Sequence, residues 1–287
     1  MLGVLECSVT AIQAFNQHRH NFYVDRRGLV KVQGIMVDLS SATTRGASSR
    51  AETHARHELP EGPPYPFDSV LHLSRYSWSV EHLIHSGDTA IDFGCGTGFG
   101  AALISNFCSH VTAIDLDPGV LALSERWGTK NVSFLCDDAC SKDLTDRVRA
   151  RNVDVILSME TIEHLEDYFT YIENAIAMMK PAGVFAVGTP NRTMTYERYP
   201  NRSHMDVSHV QEFSAISLGR TLSGYFDDVE VYYQYLPEFW STHRTDRLYD
   251  LSEVKFDKVL ERPELASDAF GVMAVCRRPK ALRPSNN

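Results

Sequence analysis

Ala90-Ile91-Asp92-Phe93-Gly94-Cys95-Gly96-Thr97-Gly98-Phe99-Gly100 is the stretch that decides the fold. An apolar run closes on an aspartate, and a glycine-rich turn then opens a run with helical spacing. This predicts a strand over 89–93, a turn whose backbone can approach a ligand closely, and a helix over 100–107. Outward from it, short β-rich runs alternate with helical ones. Helices are expected over 70–84, 118–127, 168–179 and 214–222, and strands over 111–114, 132–135, 153–158, 184–188, 229–235 and 271–276. Lys180-Pro181-Ala182-Gly183 reads as a turn. Such alternation gives an α/β fold, a doubly wound and mostly parallel seven-stranded sheet with helices on both faces.

The chain has 287 residues, 43% hydrophobic and 23% charged, which excludes a disordered polymer and allows a full core. Lys plus Arg number 28 against 37 Asp plus Glu, so the net charge of −9 argues against nucleic acid as a partner. No run approaches the roughly 18 uncharged apolar residues of a membrane span. The mildly apolar start, residues 1–15, is interrupted by Glu6 and lacks a basic lead, so it does not read as a secretory leader. Cys7, Cys95, Cys108, Cys136, Cys140 and Cys276 form no C-x-x-C pair, which suggests reduced thiols and a cytoplasmic location.

Three further features sharpen the nucleotide end. Asp92 stands two residues before the first glycine, where it would repel a pyrophosphate but suit a cationic, amino-acid-like ligand. Ala113-Ile114-Asp115 closes the next strand on a carboxylate able to bind ribose hydroxyls. Leu135-Cys136-Asp137-Asp138-Ala139 ends the third strand with acids able to accept from an adenine amino group. The stretch 96–101 also fits G-x-G-x-x-A, so an NAD(P)-dependent oxidoreductase stays an alternative, opposed by Asp92.

Taken together, these motifs resemble those of the class I S-adenosylmethionine-dependent methyltransferases, over about residues 70–235. The resemblance implies a Rossmann-like fold and S-adenosyl-L-methionine as cofactor. It implies that Asp92, Phe93, Gly94, Gly96 and Gly98 line the methionine part, that Asp115 takes the ribose with Leu116 beside the adenine, that Asp138 and Ala139 hold the adenine edge, and that Met159 lies near the sulfonium.

After the fourth strand comes Ser158-Met159-Glu160-Thr161-Ile162-Glu163-His164. His164 is a candidate general base, since imidazole titrates near neutral pH. Glu160, Glu163 and His164 form E-x-x-E-H, whose spacing would put all three on one face of a helical turn. His209, in His204-Met205-Asp206-Val207-Ser208-His209-Val210-Gln211-Glu212-Phe213, would complete a Glu, Glu, His, His set for Mg²⁺ or another divalent metal, and the catalytic candidates are His164, Glu160 and His209. This segment is similar to that of the metal-binding small-RNA 2′-O-methyltransferases and of the ubiquinone-biosynthesis O-methyltransferases. It is also similar to small-molecule methyltransferases with no known metal, where Glu163 would orient His164. METIEHLED, GTPNR and HVQEFS together resemble bacterial methyltransferases of sugars and secondary metabolites.

The resulting expectation is O-methylation of a small-molecule hydroxyl, with an RNA 2′-O-methyltransferase, the oxidoreductase and a non-catalytic binding module as alternatives. Residues 1–65 are expected as an N-terminal extension, with a hairpin or lid within 1–36 and a linker over 40–64 that carries Arg45, Arg50 and Arg56. The catalytic domain is expected over 66–280, with insertions at 191–212 and 237–265 and a tail at 281–287. The insertions carry Arg192, Tyr196, Arg198, Tyr199, Arg202 and His204, then Phe239, Trp240, His243, Arg244 and Tyr249, residue types that suit a ring or an anionic acceptor. The oligomeric state stays open, a homodimer being one option.

Overall fold

The computed structural model describes residues 23–24, 29–32, 35–38, 67–119, 127, 129–148, 151–201, 206–237, 239–242 and 250–282. Tyr23–Val24 (β1), Leu29–Val32 (β2) and Ile35–Asp38 (β3) pair antiparallel in that order. The helix expected over 118–127 lies mostly outside the described residues, as do the linker 40–64 and Arg202, His204, His243, Arg244 and Tyr249.

The main body begins with α1 (Phe67–His82), β4 (Thr89–Phe93), α2 (Phe99–Ile104), β5 (His110–Asp115) and β6 (Val132–Cys136). It continues through α3 (Leu144–Arg147), β7 (Val153–Met159), α4 (Tyr168–Met178), β8 (Met179–Pro190), α5 (Arg192–Arg198) and α6 (Ala215–Ser223). It ends with β9 (Phe226–Tyr235), α7 (Phe239–Thr242), β10 (Lys255–Lys258) and β11 (Gly271–Pro279). The sheet order is β10-β9-β11-β8-β7-β4-β5-β6. The five strands from β6 to β8 run parallel, and β11 lies antiparallel between β8 and β9.

The α/β doubly wound class is as expected, with eight strands in place of seven. The addition is β10, which pairs antiparallel with β9. Within 237–265, expected as an insertion, these four residues extend the sheet. The turn expected at Lys180–Gly183 is absorbed into β8 as a bulge: Val153 pairs with Met179, but Val155 pairs with Val184.

Apolar spacing explains the layers. Val70, Leu73, Tyr76, Val80 and Leu83 recur at helical intervals along and just beyond α1, and are buried with Val155, Leu157 and Met159 on one sheet face. Ile91, Phe93, Ile114 and Ile156 fill the other face with Tyr171, Ile172 and Ala175 of α4 and Leu218 and Leu222 of α6. Each fully buried side chain of this size stabilises by about 1.5–3 kcal/mol. Helix starts are fixed locally: Asp167 accepts from the Thr170 amide ahead of α4, and Ser214 and Ser217 form a reciprocal capping pair at α6. No helix among the described residues is long and apolar enough to cross a membrane.

Candidate active site

The parallel strands bring their carboxyl ends to one edge of the sheet, where open α/β sheets bind ligands. At the end of β4 the chain turns through Gly94, Gly96 and Gly98, all at positive φ. Gly94 (φ +79°) has no room for a side chain, since a Cβ there would lie 2.2 Å from Thr161 Oγ1. Gly96 (φ +52°) is different: a Cβ would meet nothing within 4 Å, so open space lies against this backbone. The Gly96 amide donates to Asp115 Oδ2 at 2.8 Å, which ties the tip of β5 to the turn, and the Asp117 amide donates to Asp115 Oδ1.

Asp92 is wholly buried. Tyr76 donates its hydroxyl to Asp92 Oδ1 at 2.9 Å, and Oδ2 has no hydrogen-bond partner. Burial pushes this carboxyl up to about 7, against the Tyr76 hydrogen bond, which favours the charged form. A buried carboxylate with one orphan oxygen calls for a donor, and a cationic one best of all. Met159 is buried at the end of β7, while Leu116 and Asp138 are exposed and Ala139 half-buried. Asn174 donates to the carbonyls of Ala139 and Ser141 and holds that loop in place. Phe93 departs from its expected role: its ring is fully buried and stacks on Tyr171 at 5.0 Å, so only its backbone borders the turn. Its inward direction follows from strand alternation, which sends Asp92 and Phe93 to opposite faces.

The β7 end assembles a second group. Glu163, His164 and His209 each offer a ligand atom within 4.8 Å of the others. The two imidazole rings meet edge to face at 4.9 Å. Glu163 is fully buried, accepts from Thr189 Oγ1 at 2.9 Å, and leaves Oε1 without a partner. Burial, with Glu160 nearby, holds its carboxyl well above the usual carboxylate range. His164 Nδ1 lies 3.2 Å from the Ser208 carbonyl, which can only accept, so that nitrogen carries the proton and Nε2 is the ring's acceptor. His209 Nδ1 is 2.8 Å from Glu212 Oε1, a carboxylate–imidazole pair that engages Nδ1 and leaves Nε2 as the other ring nitrogen able to ligate.

Glu160 does not join this group, contrary to the four-residue set expected from sequence. It is not on a helical turn with Glu163: it has φ +55°, and only Ile162–His164 forms a 3₁₀ turn. Its carboxylate is ion-paired with Arg75. The expected acceptor residues divide too. Arg198 lies 4.5 Å over the Trp240 ring and is ion-paired with Asp268, and Trp240 stacks on Phe270, so these side chains fasten α5 and α7 to the strand ends. Tyr196 is 69% exposed and stays available.

Sequence reasoning missed Arg75, Tyr76, Gln234, Thr189 and Glu212. Arg75 and Tyr76 fall inside the helix expected over 70–84. The signal was an arginine among helical positions that the apolar spacing buries.

Residues 91–187 match a family model described as "Methyltransferase domain". Over these residues the chain is similar to methyltransferase domains. Among curated relatives, a "Probable S-adenosylmethionine-dependent methyltransferase" of Mycolicibacterium smegmatis is 30% identical over 151 residues, 52% of this chain and 56% of the relative. A ubiquinone biosynthesis O-methyltransferase of Xylella fastidiosa is 29% identical over 137 residues, 47% of this chain and 54% of the relative. The match thus spans little more than half the length of these relatives. A solved structure from Thermotoga maritima, described as a possible histamine N-methyltransferase, superposes with a TM-score of 0.52 at 15% identity, covering 73% of this chain and 91% of that one. At that identity the likeness concerns the fold of the methyltransferase domain alone.

Proposed function

We propose that the chain is an S-adenosylmethionine-dependent methyltransferase that methylates a hydroxyl of a small molecule. The observation that carries the cofactor reading is the buried Asp92 carboxylate with its unpartnered Oδ2, and the open space against the Gly96 backbone accompanies it. A methionyl ammonium would satisfy that oxygen, and Asp115 would meet the ribose. Asp138 and Ala139 would border the adenine, Leu116 would lie beside it, and Met159 would face the sulfonium. Bound S-adenosylmethionine supplies an electrophilic methyl on a good leaving group, so the protein's main task is alignment and removal of the acceptor's proton.

His164 is the residue proposed for that proton, because its Nδ1 is committed to a carbonyl and its Nε2 accepts. The 29% identity to an O-methyltransferase over 137 residues supports oxygen as the acceptor atom. A divalent metal is a second reading, supported by the convergence of Glu163, His164 and His209. The donor set of one carboxylate and two imidazoles fits Mg²⁺ poorly and Mn²⁺, Fe²⁺ or Co²⁺ better. Such an ion would lower the pKa of a bound hydroxyl.

Calorimetric titration with S-adenosylhomocysteine tests the cofactor reading: saturable binding is expected, and none at millimolar ligand rejects it. Turnover of labelled S-adenosylmethionine with a panel of hydroxylated aromatics and sugars, before and after chelation, tests the rest. Activity restored by Mn²⁺ supports the metal, and chelator-insensitive activity leaves His164 as the base.

A further inference from the structure

We infer that Arg75 withholds Glu160 from the neighbouring histidine cluster, so that the E-x-x-E-H segment of this chain offers a metal three protein groups and not four. It rests on reading Glu163, His164 and His209 as a metal site. The two glutamates stand three residues apart but are claimed from opposite faces of the sheet. Met159, just before Glu160, packs with α1, while Ile162, just before Glu163, packs with α4 and α6. Glu160 leaves the strand in a left-handed conformation, with its amide donating to the Gly188 carbonyl at 2.8 Å. That conformation is unfavourable for a side chain and persists where the surroundings enforce it.

The enforcing group is the guanidinium of Arg75, only 3% exposed. Its Nη1 pairs with Glu160 Oε1, and its Nε donates to Gln234 Oε1 at 2.8 Å. Gln234 is fully buried and is itself fixed, donating to the Leu71 carbonyl at 2.7 Å and to Ser74 Oγ at 2.8 Å. Two glycines make the space: a Cβ on Gly271 would lie 2.5 Å from Arg75 Nη2, and one on Gly188 would lie 3.1 Å from Arg75 Cδ. Glu160 cannot move to the histidines without breaking this ion pair and leaving the buried guanidinium without its hydrogen-bonded carboxylate, a costly change. Glu163 is tied the other way. It accepts from Thr189, and its backbone carbonyl accepts from the amides of Val210 and Gln211, which fixes it to the segment bearing His209. One carboxylate and two imidazoles leave coordination positions on the ion open.

The test is Mn²⁺ titration of the purified full chain, followed by the electron paramagnetic resonance of free Mn²⁺, with S-adenosylhomocysteine calorimetry in parallel. Glu160→Gln is expected to leave Mn²⁺ affinity within about twofold of wild type, whereas Glu163→Gln or His209→Gln weakens it about tenfold or more. Arg75→Gln frees Glu160 and is expected to tighten Mn²⁺ about tenfold, and adding Glu160→Gln to it reverses the gain. The inference is overturned if Glu160→Gln weakens Mn²⁺ as much as Glu163→Gln does, if Arg75→Gln leaves the affinity unchanged, or if neither wild type nor Arg75→Gln binds Mn²⁺. Should Arg75→Gln not fold, the comparison of Glu160→Gln with Glu163→Gln decides alone. Failure here with S-adenosylhomocysteine binding intact counts against the withheld glutamate only; absent binding in wild type counts against the methyltransferase reading.

Discussion

The tips of β4 and β5 and the tips of β7 and β8 lie along the same edge of one sheet, yet they are built by different means. The turn of the first pair is shaped by backbone, with Tyr76 reaching in from α1 to hold Asp92. Glycines at positive φ shape the turn, and a backbone amide of that turn donates to the β5 carboxylate. The second pair is made by side chains from far apart in the chain: Arg75 and Gln234 are 159 residues apart, and His164 is held by the carbonyl of Ser208, 44 residues on. A backbone cradle is written in a few consecutive residues and tolerates change around it. A side-chain constellation depends on every element that delivers a member. The difference predicts that substitutions at the two ends fail in different ways.

The largest effect belongs to the second end. His164→Ala is expected to lower turnover by about 10²–10⁴, the usual range for a general base, and to leave S-adenosylhomocysteine affinity in place. An equal loss in calorimetry would show that the two ends are one unit. Gly94→Ala comes next. Its positive φ and the 2.2 Å approach to Thr161 together predict a loss of roughly 2–5 kcal/mol by denaturant unfolding. Gly96→Ala, with open space in front of it, should lose only about 1–2 kcal/mol for its φ while sharply weakening the cofactor. Similar unfolding losses at the two glycines would mean that the space beside Gly96 is not a cradle.

Asp92→Asn should weaken S-adenosylhomocysteine about ten- to a hundredfold, as loss of a charged hydrogen bond does. Asp92 also carries a pH signature. Its carboxyl is pushed up to about 7 from 3.8, so between those values the folded chain keeps a proton that the unfolded chain has lost. Folding stability should therefore fall as pH rises through that window and level off above it. Affinity for the cationic ligand should run the opposite way, rising toward pH 7 because the ligand prefers the ionised carboxylate. Asp92→Asn should flatten both profiles, and an unchanged profile would assign the titration elsewhere. The smallest effect is at Thr189→Val, which removes the donor to Glu163 Oε2 and should cost about 1–2 kcal/mol of stability, read in the same unfolding assay.

The contrast also explains what the sequence disclosed. The strand–glycine–helix unit at 89–104 and the alternation that follows could be read because each depends on neighbours. The capping of α6 by Ser214 and Ser217 is local in the same sense. The pairing of Asp92 with Tyr76 was hidden, because sixteen residues and a separate helix intervene and the tyrosine looked like ordinary core. Glu160 misled for a related reason. E-x-x-E-H spacing implies one face only if the segment is helical from its first residue, and φ +55° at Glu160 breaks that premise. The bulge in β8 hid behind Pro181 and Gly183, residues that signal a turn and here serve an irregular strand instead.

One late element changes how the outer rim of the sheet behaves. Without Lys255–Lys258, the strand bearing Tyr232, Tyr233 and Tyr235 would present bare amides and carbonyls flanked by aromatic rings, a template for pairing with another chain. The added ribbon covers that template, with Lys258 ion-paired to Glu230 and Asp257 accepting from the Tyr235 hydroxyl at 2.6 Å. Its own outward margin is only four residues long and begins and ends with lysine. The ribbon thus serves as a guard against self-association of β-strands.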